Sequence, residues 1–122
     1  MTFKMMFERV NLVTPLEQRR FFDYYDASVN ELRMMFKTKY VLKKDCTYET
    51  PDSLSYTDVT REFFHEPIIQ NILYMAGMGE QYKSEFVRLA NLGYKEAWNE
   101  EAEEYKNSDK NGAGGIIKRA RW

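Results

Sequence analysis

The feature that most constrains the fold is an apolar stripe with helical spacing. Its members recur every three or four positions: Phe22, Tyr25, Val29, Leu32 and Phe36. That spacing places them on one face of a helix. The preceding Thr14-Pro15-Leu16-Glu17 offers a capping threonine, a proline suited to the first helical position and a glutamate that completes a capping box. The pattern predicts a helix over Pro15–Lys39.

Three further segments show helical periodicity. They predict helices over Phe3–Leu12, Pro67–Met78 and Glu80–Lys106, with the glycines at 77 and 79 separating the last two. No internal repeat and no second domain are visible. We therefore expect an all-α fold, a small bundle of about four helices that occupies residues 1–109.

The last predicted helix has two neighbouring apolar faces. One face contains Tyr82, Phe86, Leu89, Gly93 and Ala97. The other contains Tyr94, Trp98, Ala102 and Tyr105. A helix at the surface of a small domain buries one apolar face in the core. We expect the first face to do so and the second to contact another subunit.

The segment Tyr40–Val59 interrupts the helical pattern. Tyr40-Val41-Leu42 favours extended structure, and Thr50-Pro51-Asp52 is typical of a turn. A non-helical segment of this length inside a small domain often has a function. We predict a long, protruding and mobile loop or hairpin that contacts neighbouring subunits; the alternative is a loop packed along its own bundle.

Residues 110–122 are predicted to form a flexible C-terminal arm, because glycines at 112, 114 and 115 disfavour helix. The candidate partner-binding residues of this arm are Ile116, Ile117, Lys118, Arg119, Arg121 and Trp122. The apolar ones would fill pockets on a partner, and the cations would pair with carboxylates. Five glutamates crowd the end of the preceding helix: Glu96, Glu100, Glu101, Glu103 and Glu104. An acidic block beside a basic arm is compatible with head-to-tail contacts between copies, but a charge run is more often only a solvated face.

Composition excludes several classes of function. The net charge of −1 does not support nucleic-acid binding through a basic body. The single cysteine, Cys46, rules out an intramolecular disulfide and favours a reducing compartment. No run approaches the ~18 apolar residues of a membrane span, so we expect no membrane contact.

No catalytic set is apparent, so we do not expect an enzyme. The only histidine, His65, cannot form a metal site alone, and its placement near a helix start favours chance over function. A Cys46–His65 pair is physically possible but has no supporting pattern. The glycines between 112 and 115 fit neither a dinucleotide fingerprint nor a P-loop. We expect no metal and no cofactor.

Two stretches carry a resemblance to a known family. One is Pro67-Ile-Ile-Gln-Asn-Ile-Leu-Tyr-Met-Ala-Gly-Met-Gly79 leading into Tyr82-Lys-Ser-Glu-Phe86. The other is Ala97-Trp98-Asn99 leading to Ile117-Lys-Arg-Ala-Arg-Trp122. With the size and helical layout, they resemble the small head–tail connector (adaptor, or head-completion) proteins of tailed bacteriophages and prophages.

The resemblance implies a structural virion protein, assembled in the bacterial host cytoplasm. It would be a subunit of a homo-oligomeric ring that joins the portal of the head to tail-side connector proteins. The ring would enclose a channel through which DNA passes without sequence-specific binding, with Tyr40–Val59 beside the channel or a neighbour. The alternative is a small helical DNA-binding regulator, in which residues 77–79 form the turn of a helix-turn-helix. The acidic sequence after that turn, Glu80-Gln81-Tyr82-Lys83-Ser84-Glu85, fits phosphates poorly.

Overall fold

Helices dominate the part of the chain that the structure, a computed structural model, describes: the backbone of residues 1–112 and the side chains of residues 1–106. The helices are α1 (Phe3–Val13), α2 (Gln18–Met35), α3 (Thr38–Val41), a short 3-10 helix (Glu62–Phe64), α4 (His65–Met75) and α5 (Glu80–Gly112). No strand occurs within these residues, which contain one isolated antiparallel bridge between Leu42 and Thr60. The predicted all-α fold is confirmed.

The core is built around α4, which packs against α1, α2 and α5. Four of its apolar side chains are buried between these helices: Ile68, Ile69, Ile72 and Leu73. Each fully buried side chain of this size contributes roughly 1.5–3 kcal/mol from its removal from water. This explains why a helix of only 11 residues can organise the longer ones.

Helix α1 follows the sequence prediction to within one residue. The side chain of Thr2 accepts a hydrogen bond from the Met5 N–H and so caps the helix start. Phe3, Met6 and Val10 are buried at the three- and four-residue steps that mark the core-facing stripe.

The predicted capping box at Thr14 is wrong. Thr14 ends α1 instead, because its N–H donates to the carbonyl of Val10 at 3.0 Å. The Leu16 N–H donates to Asn11 Oδ1 at 2.9 Å, so the side chain of α1 supports the turn. Helix α2 begins at Gln18, with Glu17 at the cap position and no side-chain capping bond.

The end of the predicted second helix is also wrong. Helix α2 stops at Met35, and α3 begins at Thr38 after a break. The break lets two aromatic rings reach α5: Phe36 stacks on Tyr94 with centroids 4.6 Å apart, and Tyr40 meets Tyr94 edge-on at 5.3 Å. Aromatic contacts of this kind stabilise by about 0.5–1.5 kcal/mol each beyond area burial.

The central segment is a long loop, as predicted, but it packs along its own bundle, so the predicted protrusion is wrong. Tyr40 and Val41 belong to α3 and are not extended. Backbone hydrogen bonds close the base of the segment, from Lys43 N–H to Val59 O at 2.7 Å and from Arg61 N–H to Val41 O at 2.8 Å. Buried polar contacts, described below, hold the segment against the helices.

The last two helices differ from prediction at their ends. Helix α4 starts two residues before Pro67 and stops at Met75; the left-handed Gly77, with φ of 85°, makes the predicted turn. Helix α5 continues to Gly112, past Lys106 and through the predicted boundary between residues 109 and 110. No proline interrupts residues 107–112, so the helical backbone can propagate.

Candidate functional site

The outer side of α5 exposes three large apolar residues in one row. Val87, Trp98 and Tyr105 are 40%, 52% and 72% exposed. Intervals of 11 and 7 residues correspond to whole helical turns within about 20°, so the three share one face. We call Val87, Trp98 and Tyr105 the aromatic flank. It is an apolar surface without a partner among the described residues.

The inner side of the same helix enters the core. Phe86, Ala90 and Ala97 are completely buried. At Gly93, an added Cβ would lie 2.6 Å from the carbonyl oxygen of Phe63, so only glycine allows α5 to approach the 3-10 helix this closely. The predicted burial of the first apolar face is confirmed at Phe86, Gly93 and Ala97, whereas Tyr82 and Leu89 are half-buried.

The predicted second face is divided. Tyr94 turns inward and packs between Phe36 and Tyr40, as described above, whereas Trp98 and Tyr105 remain exposed. The aromatic rings of Tyr94 and its neighbours therefore close the core along this edge. Contact of the exposed pair with another subunit stays a prediction.

One carboxylate borders the aromatic flank. Glu101 lies three residues after Trp98 and four before Tyr105, which places it along the edge between them. Its carboxylate is 3.2 Å from Lys39 Nζ, in an ion pair largely accessible to solvent. Exposed pairs contribute about 0–1 kcal/mol, so Glu101 can exchange partners at little cost. Glu104 lies about 120° around the helix from Trp98, on the side of α5 that lines a cleft, and has no ion-pair partner among the described side chains.

A cleft of about 470 Å³ lies beside Glu101 and Glu104. Its charged lining is mixed: Lys39, Lys43, Lys44, Asp45, Arg61, Glu101 and Glu104. The Arg61 guanidinium is already engaged, since it donates to Glu100 at 2.8 Å and to the backbone carbonyls of Leu42 and Lys39 at 3.1 Å each. A cleft with both signs of charge and a committed arginine is a poor site for a phosphate.

A buried polar cluster lies under the central segment. Asp58 Oδ1 accepts from the Tyr25 hydroxyl at 2.5 Å and from the N–H and hydroxyl of Thr60 at 2.9 and 2.8 Å. Oδ2 lies 2.8 Å from His65 Nε2 but accepts no well-aligned hydrogen bond. All four residues are buried. The cluster joins the segment to α2 and α4.

The environment of Asp58 favours its charged form. Burial opposes ionisation, but the close contact with His65, together with the hydrogen bonds from Tyr25 and the Thr60 N–H, outweighs it and lowers the Asp58 pKa. Burial and the same carboxylate raise the pKa of Tyr25 far above its usual range. The tyrosine therefore stays protonated and acts as a donor.

Chance placement of His65 near a helix start is thus the wrong interpretation. One ring nitrogen faces Asp58 and the Thr60 carbonyl, and Nδ1 lies 2.9 Å from the amino group of Met1. Neither nitrogen contacts Cys46, which lines the cleft described above. His65 and Asp58 therefore hold the central segment against the helices.

Tyr48 and Thr50 attach the same segment at a second place. Each donates a hydrogen bond to Asp26 Oδ1, at 2.7 and 3.0 Å.

A further polar network joins α2, α4 and α5. Asn71 donates to Ser28 Oγ and to Glu31 Oε2, both at 3.0 Å. Lys83 Nζ lies 2.5 Å from Glu31 Oε1 and 3.3 Å from Asn71 Oδ1. Farther along α5, Arg88 contacts Glu85 at 2.7 Å. Both cations in the first three turns of α5 are therefore paired with carboxylates.

The six predicted arm residues, Ile116, Ile117, Lys118, Arg119, Arg121 and Trp122, lie outside the described residues. Within the described residues, no group of three or more His, Cys, Asp or Glu side chains is placed to hold a metal ion. None of the described helices is long and apolar enough to cross a membrane. Comparison with protein families, curated proteins and solved structures found no match for the chain.

Proposed function

We propose that this chain is a structural subunit of a ring that joins the portal of a tailed bacteriophage head to its tail. Its partners would be further copies of itself, the portal protein and tail-side connector proteins, with DNA passing through the enclosed channel. It would assemble in the bacterial host cytoplasm and reside in the virion.

The exposed aromatic flank supports this proposal most strongly. The helical module has a well-packed core, so Trp98 and Tyr105 are not needed to complete it. Exposed aromatic side chains in one row are characteristic of protein–protein interfaces, where they supply much of the binding free energy. A ring subunit needs such a surface, whereas an isolated soluble domain gains nothing from exposing it.

The paired cations of α5 favour this function over a DNA-binding regulator. A recognition helix after the turn at residues 77–79 would present its first turns to phosphates or bases. There, Lys83 and Arg88 are neutralised by Glu31 and Glu85. Phosphate contacts need cations that are available to the nucleic acid.

Light scattering combined with negative-stain microscopy tests the proposal directly. For the full chain we expect a mass several times the 14.6 kDa of one copy and closed rings with a central channel. A chain that stays at 14.6 kDa at every concentration would contradict the proposal, and so would open fibres.

Deletion of residues 116–122 separates assembly from folding and from DNA binding. We expect the shortened chain to retain the helical circular-dichroism spectrum and to lose assembly, because the core lies within the described residues. Assembly that survives the deletion would remove the arm from the proposal. Loss of specific DNA binding on deletion would favour the regulator.

A further inference from the structure

We infer that the aromatic flank of α5 is the binding site for residues 116–122 of a neighbouring copy of the same chain. The inference rests on the proposed assembly function and identifies the two surfaces that meet. One surface is the row Val87, Trp98 and Tyr105 with Glu101 at its edge. The other is the sequence Ile116-Ile-Lys-Arg-Ala-Arg-Trp122.

Residues 116–122 match the aromatic part of the flank, Trp98 and Tyr105, in length. Trp98 and Tyr105 are two helical turns apart, about 10 Å along the axis. Seven extended residues span roughly 20 Å, enough to lie across both rings and the intervening Glu101. Two isoleucines at one end and Trp122 at the other give the segment apolar contacts for both aromatic residues.

The charges are complementary. Residues 116–122 carry three cations and no carboxylate, whereas residues 96–104 of α5 carry five glutamates and no cation. Of these glutamates, Glu101 lies beside the flank, about 60° around the helix from Trp98. Its pair with Lys39 is exposed and readily exchanged. Such pairs fix the register and partner choice of an interface more than they add affinity.

The direction of α5 favours a neighbouring copy over the same chain. Helix α5 continues seven residues beyond Tyr105 to Gly112, which carries the chain about 10 Å farther away from the flank. To reach its own Trp98, the following segment would have to reverse direction and run back along the helix. Contact with a neighbour requires no reversal. It also joins two different surfaces, the heterologous arrangement from which closed rings are built.

A charge exchange in the full chain tests the contact. The acceptor variant carries Glu101→Lys, and the donor variant carries Arg119→Glu and Arg121→Glu. Each variant alone sets like charges against each other, so we expect light scattering to give 14.6 kDa for each. In a 1:1 mixture each segment meets the opposite charge on the other variant. We expect the mixture to regain the mass of the unaltered assembly.

The matched control is Glu103→Lys. Glu103 lies about 140–160° around the helix from Trp98 and Tyr105, away from the flank, and the substitution introduces the same change in charge as Glu101→Lys. We expect this variant to assemble as the unaltered chain does. Circular dichroism and thermal unfolding of every variant establish that the helices are retained.

The outcomes separate the inference from the proposed function. Closed rings that persist in the acceptor and donor variants would overturn the inference and leave the ring function intact. Two monomeric variants that fail to assemble on mixing would also overturn it, as expected for contact within one chain. Mixing that restores small or open assemblies would support the inference and contradict the ring. An unaltered chain that is monomeric at every concentration would overturn both.

Discussion

The two sides of α5 have similar apolar content but different surroundings. On the inner side, Phe86 and Ala97 are enclosed by the helices around α4. On the outer side, Trp98 follows Ala97 directly and is half exposed. Because neighbouring residues on a helix point about 100° apart, one step along the chain separates a residue that supports folding from one available to a partner.

The comparison shows that apolar periodicity alone does not reveal what a face contacts. Both faces satisfy the same spacing rule, yet only one is needed for a complete core. Substitutions on the inner face should therefore change stability, and substitutions on the outer face should change assembly.

The largest difference in unfolding free energy is expected between variants of two adjacent residues, Phe86 and Val87. Phe86→Ala removes a fully buried ring and should lower the free energy of unfolding by about 4 kcal/mol. Val87→Ala removes an exposed side chain and should change it by less than about 0.5 kcal/mol. Urea unfolding followed by circular dichroism measures both. Equal losses would show that the two sides are not distinct.

Breaking a buried ion pair should likewise cost more stability than breaking an exposed one. Asp58→Asn removes the charge that His65 faces in the buried cluster and should cost about 3 kcal/mol. Glu101→Gln breaks the exposed pair with Lys39 and should cost less than about 1 kcal/mol. Thermal and urea unfolding give both values. A loss for Glu101→Gln as large as that for Asp58→Asn would contradict the difference between the buried and the exposed ion pair.

Gly93→Ala tests the close approach of the inner face. Alanine normally stabilises a helix relative to glycine by about 1 kcal/mol. Here the new Cβ would clash with the Phe63 backbone carbonyl, so we expect a net loss of roughly 1–3 kcal/mol. Ser84→Ala, at an exposed position of the same helix, should instead be neutral or slightly stabilising. A gain in stability for Gly93→Ala would show that α5 lies farther from the 3-10 helix.

Acid should remove the contribution of Asp58. Its folded-state pKa lies below the ordinary value of about 3.9, so the stabilisation is fully present above that value and declines as the pH falls through the folded-state pKa. Urea unfolding of the unaltered chain and of Asp58→Asn between pH 7 and 3 should give curves that converge only at the acid end. A constant difference down to pH 3 would contradict the role of ionised Asp58.

Local pattern predicted the helices because their stripes repeat over several turns. Phe3, Met6 and Val10 needed only their own spacing, and α1 was predicted to within one residue. Thr14 was misassigned because its side chain suits a helix start, whereas its backbone N–H was needed to end the preceding helix. Tyr40 was misassigned because its position depends on Tyr94, more than fifty residues later. Tertiary contacts outweigh local propensity at both places.

The site was less predictable than the fold. Helical spacing did identify the outer face of α5, although it did not show that Tyr94 turns inward. The cluster of Tyr25, Asp58 and His65 gave no recognisable pattern, because it joins a helix, a loop and another helix. The only local signal is the Asp58-Val-Thr60 spacing, in which the carboxylate accepts from the backbone two residues later.

The most direct test of the division between the two sides of α5 is the mass of the Trp98→Ser/Tyr105→Ser variant beside that of the unaltered chain. Light scattering at matched concentrations gives the masses, and thermal unfolding reports the fold. We predict that the unaltered chain is an oligomer and that the variant is a 14.6 kDa monomer with an unchanged helical spectrum. A variant that assembles equally, or one that unfolds, would contradict the assignment of the aromatic flank to assembly.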